Sequence, residues 1–472
     1  MVHSNSNILI AFVAIFSPII CTQQQNVKIA IIGGGIGGTS CAYFLNEMFG
    51  EKADIFIYEG NKIGGRLATV SMTDGNEYET GGSIIHERNK YMTDFVKDLG
   101  LQRRPPSSNE RLGLYNGKDF DFIQSDYYLM NVIKMLWRYG YSTVKLQRFI
   151  SKMLDKFDRI YGLQKEGRAF DNVEDLVAAM NPEFLTYLNV SVKDGYVEKE
   201  RFSQKIVNEL VQASLRCNYG QTVKVPEFVG SVSMAGMDGA LWCVSGGNRR
   251  VAERLLDESN AKLIEAFALS VSMKQFGYVV ATATSNDTYD YVVIATPLSQ
   301  NQRIPLNFDN LPTQISRNGE YHRTVSTLVL GKLNKKKFPK FADDEGAIII
   351  NTNDDDFFNS IGNLQGINGK ENHRAWKVFS KKPLTSNEMN ILFENHTEVK
   401  IIDWLAYPHY VLPHQQMSFS LAPRLYHINA IEWAASAMEM SCIGAKNVAL
   451  LIRRDHGNWQ QTNSMKRSVE EL

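Results

Sequence analysis

The stretch KIAIIGGGIGGTSCAYFLNEM, residues 28–48, sets five glycines into six positions between an apolar run and an amphipathic one. Glycine inside a regular element costs roughly 0.5–1 kcal/mol relative to alanine, so this density signals that something approaches bare backbone. The run Val27–Ile32 reads as a fully buried strand, and Cys41, Phe44, Leu45 and Met48 share one helical face. Strand, glycine turn and helix form the context in which Gly33, Gly35 and Gly38 make a G-x-G-x-x-G dinucleotide fingerprint. The first glycine permits the turn, the second admits a pyrophosphate and the third lets helix and strand pack closely. The helix N-terminus then offers free N–H groups to the phosphates.

A second run, ADIFIYEGN (53–61), ends its apolar part at Glu59, where a carboxylate accepts both hydroxyls of an adenosine ribose. An acid there disfavours NADP and leaves NAD and FAD open. Arbitration comes from GNKIGGRLATVSMTDGNEYETGGSIIH (60–86). A second diglycine, Gly64 and Gly65, precedes Arg66, and Glu79, Gly81, Gly82, Ser83 and His86 follow. A nicotinamide domain has no use for this second cluster. A flavin does, because its longer body needs close backbone approach past the pyrophosphate and an arginine to balance phosphate charge.

The chain has 472 residues and is 44% hydrophobic, enough for a large core and two domains. Lys plus Arg and Asp plus Glu balance at 51 each, so no global field recruits nucleic acid or an anionic membrane. There is no internal repeat and no low-complexity linker. ILIAFVAIFSPII (8–20) is too short to span a bilayer and reads as the apolar core of a signal peptide over residues 1–21. Its upstream region lacks Lys and Arg, which leaves a short anchor or a buried strand as alternatives. No other stretch resembles a membrane span, and peripheral membrane contact stays open. Sequons at Asn189, Asn286 and Asn395 suit a secretory route, with Asn286 expected at a hairpin tip. Of five cysteines, one lies in the leader, Cys41 and Cys442 read as core thiols, and the pairing of Cys217 with Cys243 stays undecided. No C-x-x-C suggests zinc, and no metal is expected.

The G-G-R and E-x-G-G elements after the fingerprint resemble those of the FAD-dependent amine oxidase superfamily. YVEKERFSQKIVNELVQASLRCNYGQ (196–221), AGMDGALWCVSGGNRRVAERLL (235–256), YDYVVIATPL (289–298) and NAIEWAASAMEMSCIGAKNVALL (429–451) narrow the resemblance to the prenylcysteine oxidase (prenylcysteine lyase) family. It extends from about Val27 to Ile452. The resemblance implies an α/β fold of amine-oxidase architecture, with a discontinuous Rossmann-like FAD-binding domain and a mixed α+β substrate domain. The expected cofactor segments are 27–115, 236–300 and 420–455. The substrate segments are 116–235, helical by pattern at Leu146, Phe149, Ile150, Met153 and Leu154, and 301–419, followed by a tail over 456–472. The resemblance further implies that the backbone at Val271 holds adenine and that Ala437 and Met438 open a final helix facing the flavin.

It also implies the substrate, a farnesyl- or geranylgeranyl-cysteine, with O2 as electron acceptor and a lysosomal setting. The carbon between sulfur and prenyl chain can give up a hydride without a strong base, because sulfur and the allylic double bond stabilise the cation. No triad or paired-carboxylate motif is present, so no catalytic base is assigned. His86 and His322 are candidates for ordering water or substrate, with Arg323 as a partner for the substrate carboxylate. Trp137, Tyr141, Phe149 and Trp404 are candidate wall residues. Two rival readings are another flavin amine oxidase and a prenyl-binding escort-like protein without redox activity.

Overall fold

The structure is a computed structural model that describes residues 26–105, 110–317, 319–341 and 346–470; the leader over residues 1–21 lies outside them. Strand β1 (Val27–Ile32) leads through the glycine turn into helix α1 (Ile36–Phe49), and β2 (Ala53–Tyr58) returns alongside β1 in parallel, Val27 facing Ala53 and Ile32 facing Tyr58. A six-stranded sheet grows around this unit in the order Lys262–Ile264, β2, β1, Tyr291–Ile294, Leu425–His427, Ser420–Ala422. The first five strands run parallel. Helices and a small sheet cover the two faces, which is why β1 is apolar from Ile29 to Ile32 rather than alternating.

The second large sheet has seven strands, in the order Phe393–Pro408, Tyr321–Leu333, Glu371–Ser380, Ser360–Gln365, Ala347–Asn351, Arg111–Tyr115, Phe120–Ile123. Arg111–Tyr115 falls within the stretch expected to belong to the cofactor domain. It pairs instead in parallel with Ala347–Asn351, because Leu112 and Leu114 are needed under the far sheet. Between the sheets lies a helical layer that includes α2 (Tyr128–Tyr139) and α3 (Ser142–Phe157). Residues 270–289 form a three-stranded meander, Ser270–Lys274, Gly277–Ala281 and Asn286–Tyr289, the third strand following the turn at Thr282–Ser285.

Helix α4 (Met438–Glu470) closes the architecture by crossing α1. The crossing needs small residues: a Cβ on Gly444 would stand 3.0 Å from the carbonyl oxygen of Ile428, and one on Gly37 would stand 3.3 Å from the Ile428 side chain. The helix continues past the expected cofactor-segment boundary through most of the region read as a tail. All four described cysteines are free thiols, including Cys217 and Cys243.

Candidate active site

A cavity of about 1620 Å³ runs from the glycine turn, between the two large sheets, to the helical layer. At its first end the chain removes side chains. Gly33 has φ +115°, which an L side chain adopts only under strain, and a Cβ on Gly38 would collide with the carbonyl oxygen of Gly33. Gly38 therefore sits behind the wall, holding α1 against the strand, while Gly33 and Gly35 line the cavity. Glu59 also lines it, with its carboxylate accepting from Gly34 N at 2.9 Å and Asn61 N at 2.8 Å. Beside it the Phe267 ring covers Gly60 so closely that no Cβ fits there.

Gly64, Gly65, Gly81 and Gly82 continue the bare wall. A Cβ on Gly81 would meet both the Arg66 carbonyl and the Trp404 ring, and Gly82 N donates to that same carbonyl at 3.2 Å. Gly246 and Gly247 lie outside the cavity. They shape the turn in which Asn248 N donates to Glu79 at 2.6 Å and Asn248 Nδ2 donates to the Gly82 carbonyl at 3.0 Å, bracing the E-x-G-G segment from behind. The wall's Cβ-free length and the acid at Glu59 fit a dinucleotide with a further ring system.

Arg66 reaches the cavity wall, but its charge is met inside the protein. Nη1 donates to Glu432 at 2.9 Å and to the Ala406 carbonyl at 2.6 Å, and Nη2 makes a second contact with Glu432. That pairing leaves 33% of the Arg66 side chain exposed at the cavity wall. Glu432 is fully buried and also accepts from Tyr321 OH at 2.9 Å and Asn429 Nδ2 at 2.7 Å. Burial pushes its carboxyl up, but Arg66, Tyr321 and Asn429 outweigh burial and hold it below the ordinary value.

Ser436, Ala437 and Met438, at the start of α4, line the middle of the cavity opposite Gly82. Glu439 follows, accepting from the backbone of Tyr91 at 2.7 Å and Met92 at 3.0 Å, and burial pushes it up to about 7 despite those donors. Neither Glu432 nor Glu439 is singled out by a motif. The available signal is an acid recurring inside an otherwise small and apolar run. His86 is buried at the wall and its Nδ1 accepts from Arg88 N at 3.2 Å, which puts the proton of the neutral ring on Nε2.

Three expectations are corrected. Val271 is fully buried beneath the meander and is not among the cavity walls; Ala266, Phe267 and Ala268 reach it instead, because the chain enters the sheet only at Ser270. His322 also lies outside the cavity, stacked on Tyr407 and 3.3 Å from His409, with burial first and His409 second pushing it down to about 4. Arg323 turns outward to pair with Asp403 at 2.6 Å. Of the candidate wall aromatics Trp404 lines the cavity, Phe149 packs within the helical layer, and Trp137 and Tyr141 are exposed.

At the far end the walls become apolar: Leu112, Leu114, Leu210, Ala213, Ile348 and Ile350. Tyr219 and Tyr407, edge to face at 5.2 Å, stand between that end and the start of α4, where Tyr219 OH donates to the Ser436 carbonyl at 2.8 Å. The sequon residues Asn189, Asn286 and Asn395 are all exposed; Asn286 is the first strand residue after the Thr282–Ser285 turn rather than its tip.

Comparison with known proteins agrees with this geometry. The family model for prenylcysteine lyase matches residues 122–466, and that for an NAD(P)-binding Rossmann-like domain matches residues 31–99. Human prenylcysteine oxidase 1 is 40% identical over 449 residues, covering 90% of this chain and 88% of that protein. Bovine prenylcysteine oxidase 1-like is 34% identical over 473 residues, covering 96% and 95%. Among solved structures, a triple mutant of putrescine oxidase redesigned for cofactor binding superposes with TM-score 0.61 at 14% identity, covering 91% of this chain and 99% of that one. Cyclohexylamine oxidase from Brevibacterium oxydans gives 0.57 at 14%, covering 92% and 100%; these two likenesses establish the fold.

Proposed function

The chain belongs to the prenylcysteine lyase family, and on that premise we propose that it is an FAD-dependent oxidase that cleaves S-prenylcysteine. The observation that carries the reading is the polarity of one continuous cavity, bare glycine backbone at one end and an apolar end at the other. Gly33, Gly35 and the α1 N-terminus hold the pyrophosphate, and Glu59 holds the ribose, with Phe267 beside it. Gly65, Gly81, Gly82, Ala437 and Met438 flank the ring system. Gly38 acts one layer behind, through the turn, and Arg66 acts from the cavity wall, where Glu432 holds it. When bound, FAD supplies a two-electron acceptor that O2 reoxidises.

The protein's own residues then have separable tasks. Leu112, Leu114, Leu210, Ala213, Ile348 and Ile350 take the prenyl chain, which fixes the thioether carbon between Gly81–Gly82 and the start of α4. N–H groups at Ser436–Met438 favour negative charge on the facing ring edge. His86, at the wall, orders the water that adds to the carbon bound to sulfur. The balance is prenylcysteine, water and O2 giving prenyl aldehyde, cysteine and H2O2. No strong base is required, and Glu439, the buried acid that follows Met438, is already committed to backbone N–H groups.

The exposed sequons and the apolar leader support a secretory-pathway glycoprotein, with the lysosome as its site of action. No helix among the described residues is long and apolar enough to cross a membrane. Anaerobic mixing of the purified yellow protein with farnesylcysteine tests the activity: the flavin absorbance bleaches and returns on admitting air, with aldehyde and H2O2 released in equal amounts. A yellow protein inert towards thioethers but bleached by an amine would overturn it in favour of an amine oxidase. A colourless protein that binds farnesylcysteine would make it an escort.

A further inference from the structure

Helix α2 turns the usual amphipathic arrangement inside out. Its polar side chains face the protein. Asn131 accepts from Ser125 N at 2.6 Å and donates to the Ser125 carbonyl at 2.7 Å, and Lys134 donates to the Ile123 carbonyl at 3.1 Å. Arg138 forms a two-pronged pair with Glu209, at 2.6 and 2.8 Å, and reaches Asp121 at 3.0 Å. The opposite face presents Leu129, Met130, Ile133, Leu136 and Trp137 to solvent, with Tyr127 and Tyr128 before it and Tyr141 after it. Trp137 is 87% exposed and Tyr128 83%. From residue 126 to 141 every exposed side chain is apolar or aromatic except Asp126. Singly exposed apolar residues are ordinary; a continuous patch with its charges anchored on the inner side is not.

We infer that α2 is the element by which this protein lies on a lipid bilayer, its apolar face sunk to the headgroup boundary. Two observations choose lipid over a protein partner. The rim is aromatic, Tyr127, Tyr128, Trp137 and Tyr141, the residue types whose amphipathic rings settle at a membrane interface. No cation is exposed between residues 126 and 141, and the nearest, Arg148, is tied at the rim to Tyr141 OH at 3.0 Å, so the matching surface is a zwitterionic bilayer held by apolar burial.

The helix also borders the apolar end of the cavity. Met135, on its inner side, packs in the same cluster as Leu112, Leu210, Ala213 and Ile350, all of them cavity wall. Docked this way, the protein draws a lipid-tailed thioether from the bilayer rather than from water; this delivery role rests on the proposed prenylcysteine activity, whereas the docking does not.

The test floats flavin-loaded protein, without substrate, on phosphatidylcholine vesicles. Wild-type protein rises with the vesicles, and does so equally in about 0.5 M salt because no exposed charge pair is involved. Ile133→Asp/Trp137→Asp lowers vesicle partition by at least about tenfold, keeping its flavin content and its turnover of a water-soluble S-allyl cysteine thioether. Trp137→Phe still floats but loses the vesicle-induced blue shift of fluorescence. Wild-type protein that stays at the bottom of the gradient overturns the inference, as does a double variant that floats equally. So does a wild-type dimer, seen by sedimentation velocity, that the double substitution splits. Vesicle binding by a protein inert to every thioether would uphold the lipid surface and defeat the activity proposal alone.

Discussion

Two regions bury a glutamate completely and treat it in opposite ways. At the sheet interface Glu432 is met by Arg66, Tyr321 and Asn429, and its carboxyl is held below the ordinary value. In the helical layer Glu227, at the start of the helix Glu227–Ser233, meets no hydrogen-bond donor for either carboxylate oxygen among the described residues, and burial pushes it up to about 7. The difference teaches where this fold fixes position and where it only fills space. Arg66–Glu432 pins Gly81–Gly82, the strand ending at Pro408 and the approach to α4 to one another across the cavity. Glu227 pins nothing and sits in a layer held by apolar packing.

The sharpest way to break the comparison is to orphan Glu432 as well. Arg66→Met leaves a buried carboxylate without its charge partner and is expected to destabilise the protein by about 3–5 kcal/mol and to release flavin on dilution. Urea unfolding with flavin fluorescence reads both, and Arg66→Met/Glu432→Gln should recover part of the loss. Flavin release with unchanged stability would instead give Arg66 a direct role at the cofactor.

Glu227 gives the next effect, with the opposite sign. Its folded carboxyl is raised to about 7 from an ordinary 4.5, so its favourable contribution is complete below about 4.5 and is lost as pH rises through about 7. Glu227→Gln should therefore stabilise the protein at pH 8, by on the order of 3 kcal/mol, and change nothing near pH 4. Melting curves across that range check it, and a destabilising substitution at pH 8 would mean that the ionised carboxylate has an anchoring role after all.

A smaller effect separates the two ends of the cavity. Ala213→Leu fills part of the apolar end and should raise KM for geranylgeranylcysteine about tenfold more than for a shorter-chain thioether, leaving the flavin spectrum unchanged. The smallest concerns Arg323, which faces outward to Asp403. Arg323→Gln should leave kcat and KM untouched; a raised KM would return it to the substrate site.

The glycine fingerprint, Glu59 and the second diglycine were legible because backbone demands leave a local mark: only glycine accepts the φ of Gly33 or the crowding at Gly38. The start of α4 at Met438 came instead from the family resemblance; the small residues by themselves signalled only close packing. Val271 was misplaced because the chain meets the cavity at Ala266, Phe267 and Ala268, before the strand begins, and on Tyr321–Leu333 it is Thr324 rather than His322 or Arg323 that reaches the wall, a choice no local pattern contains. Trp137 and Tyr141 have the composition of walls and the position of a surface, a distinction no local pattern contains.

The sequence by itself determined the dinucleotide turn, the second glycine cluster and the apolar character of the chain, all properties of contiguous residues. Tertiary structure alone decided that Arg66 meets Glu432 across 366 positions, that Leu112 and Leu114 join a sheet far from β1, and that α2 turns its apolar face outward. Those outcomes depend on which distant surfaces exclude water together, and burial of that kind is set by the whole packed chain rather than by any window along it.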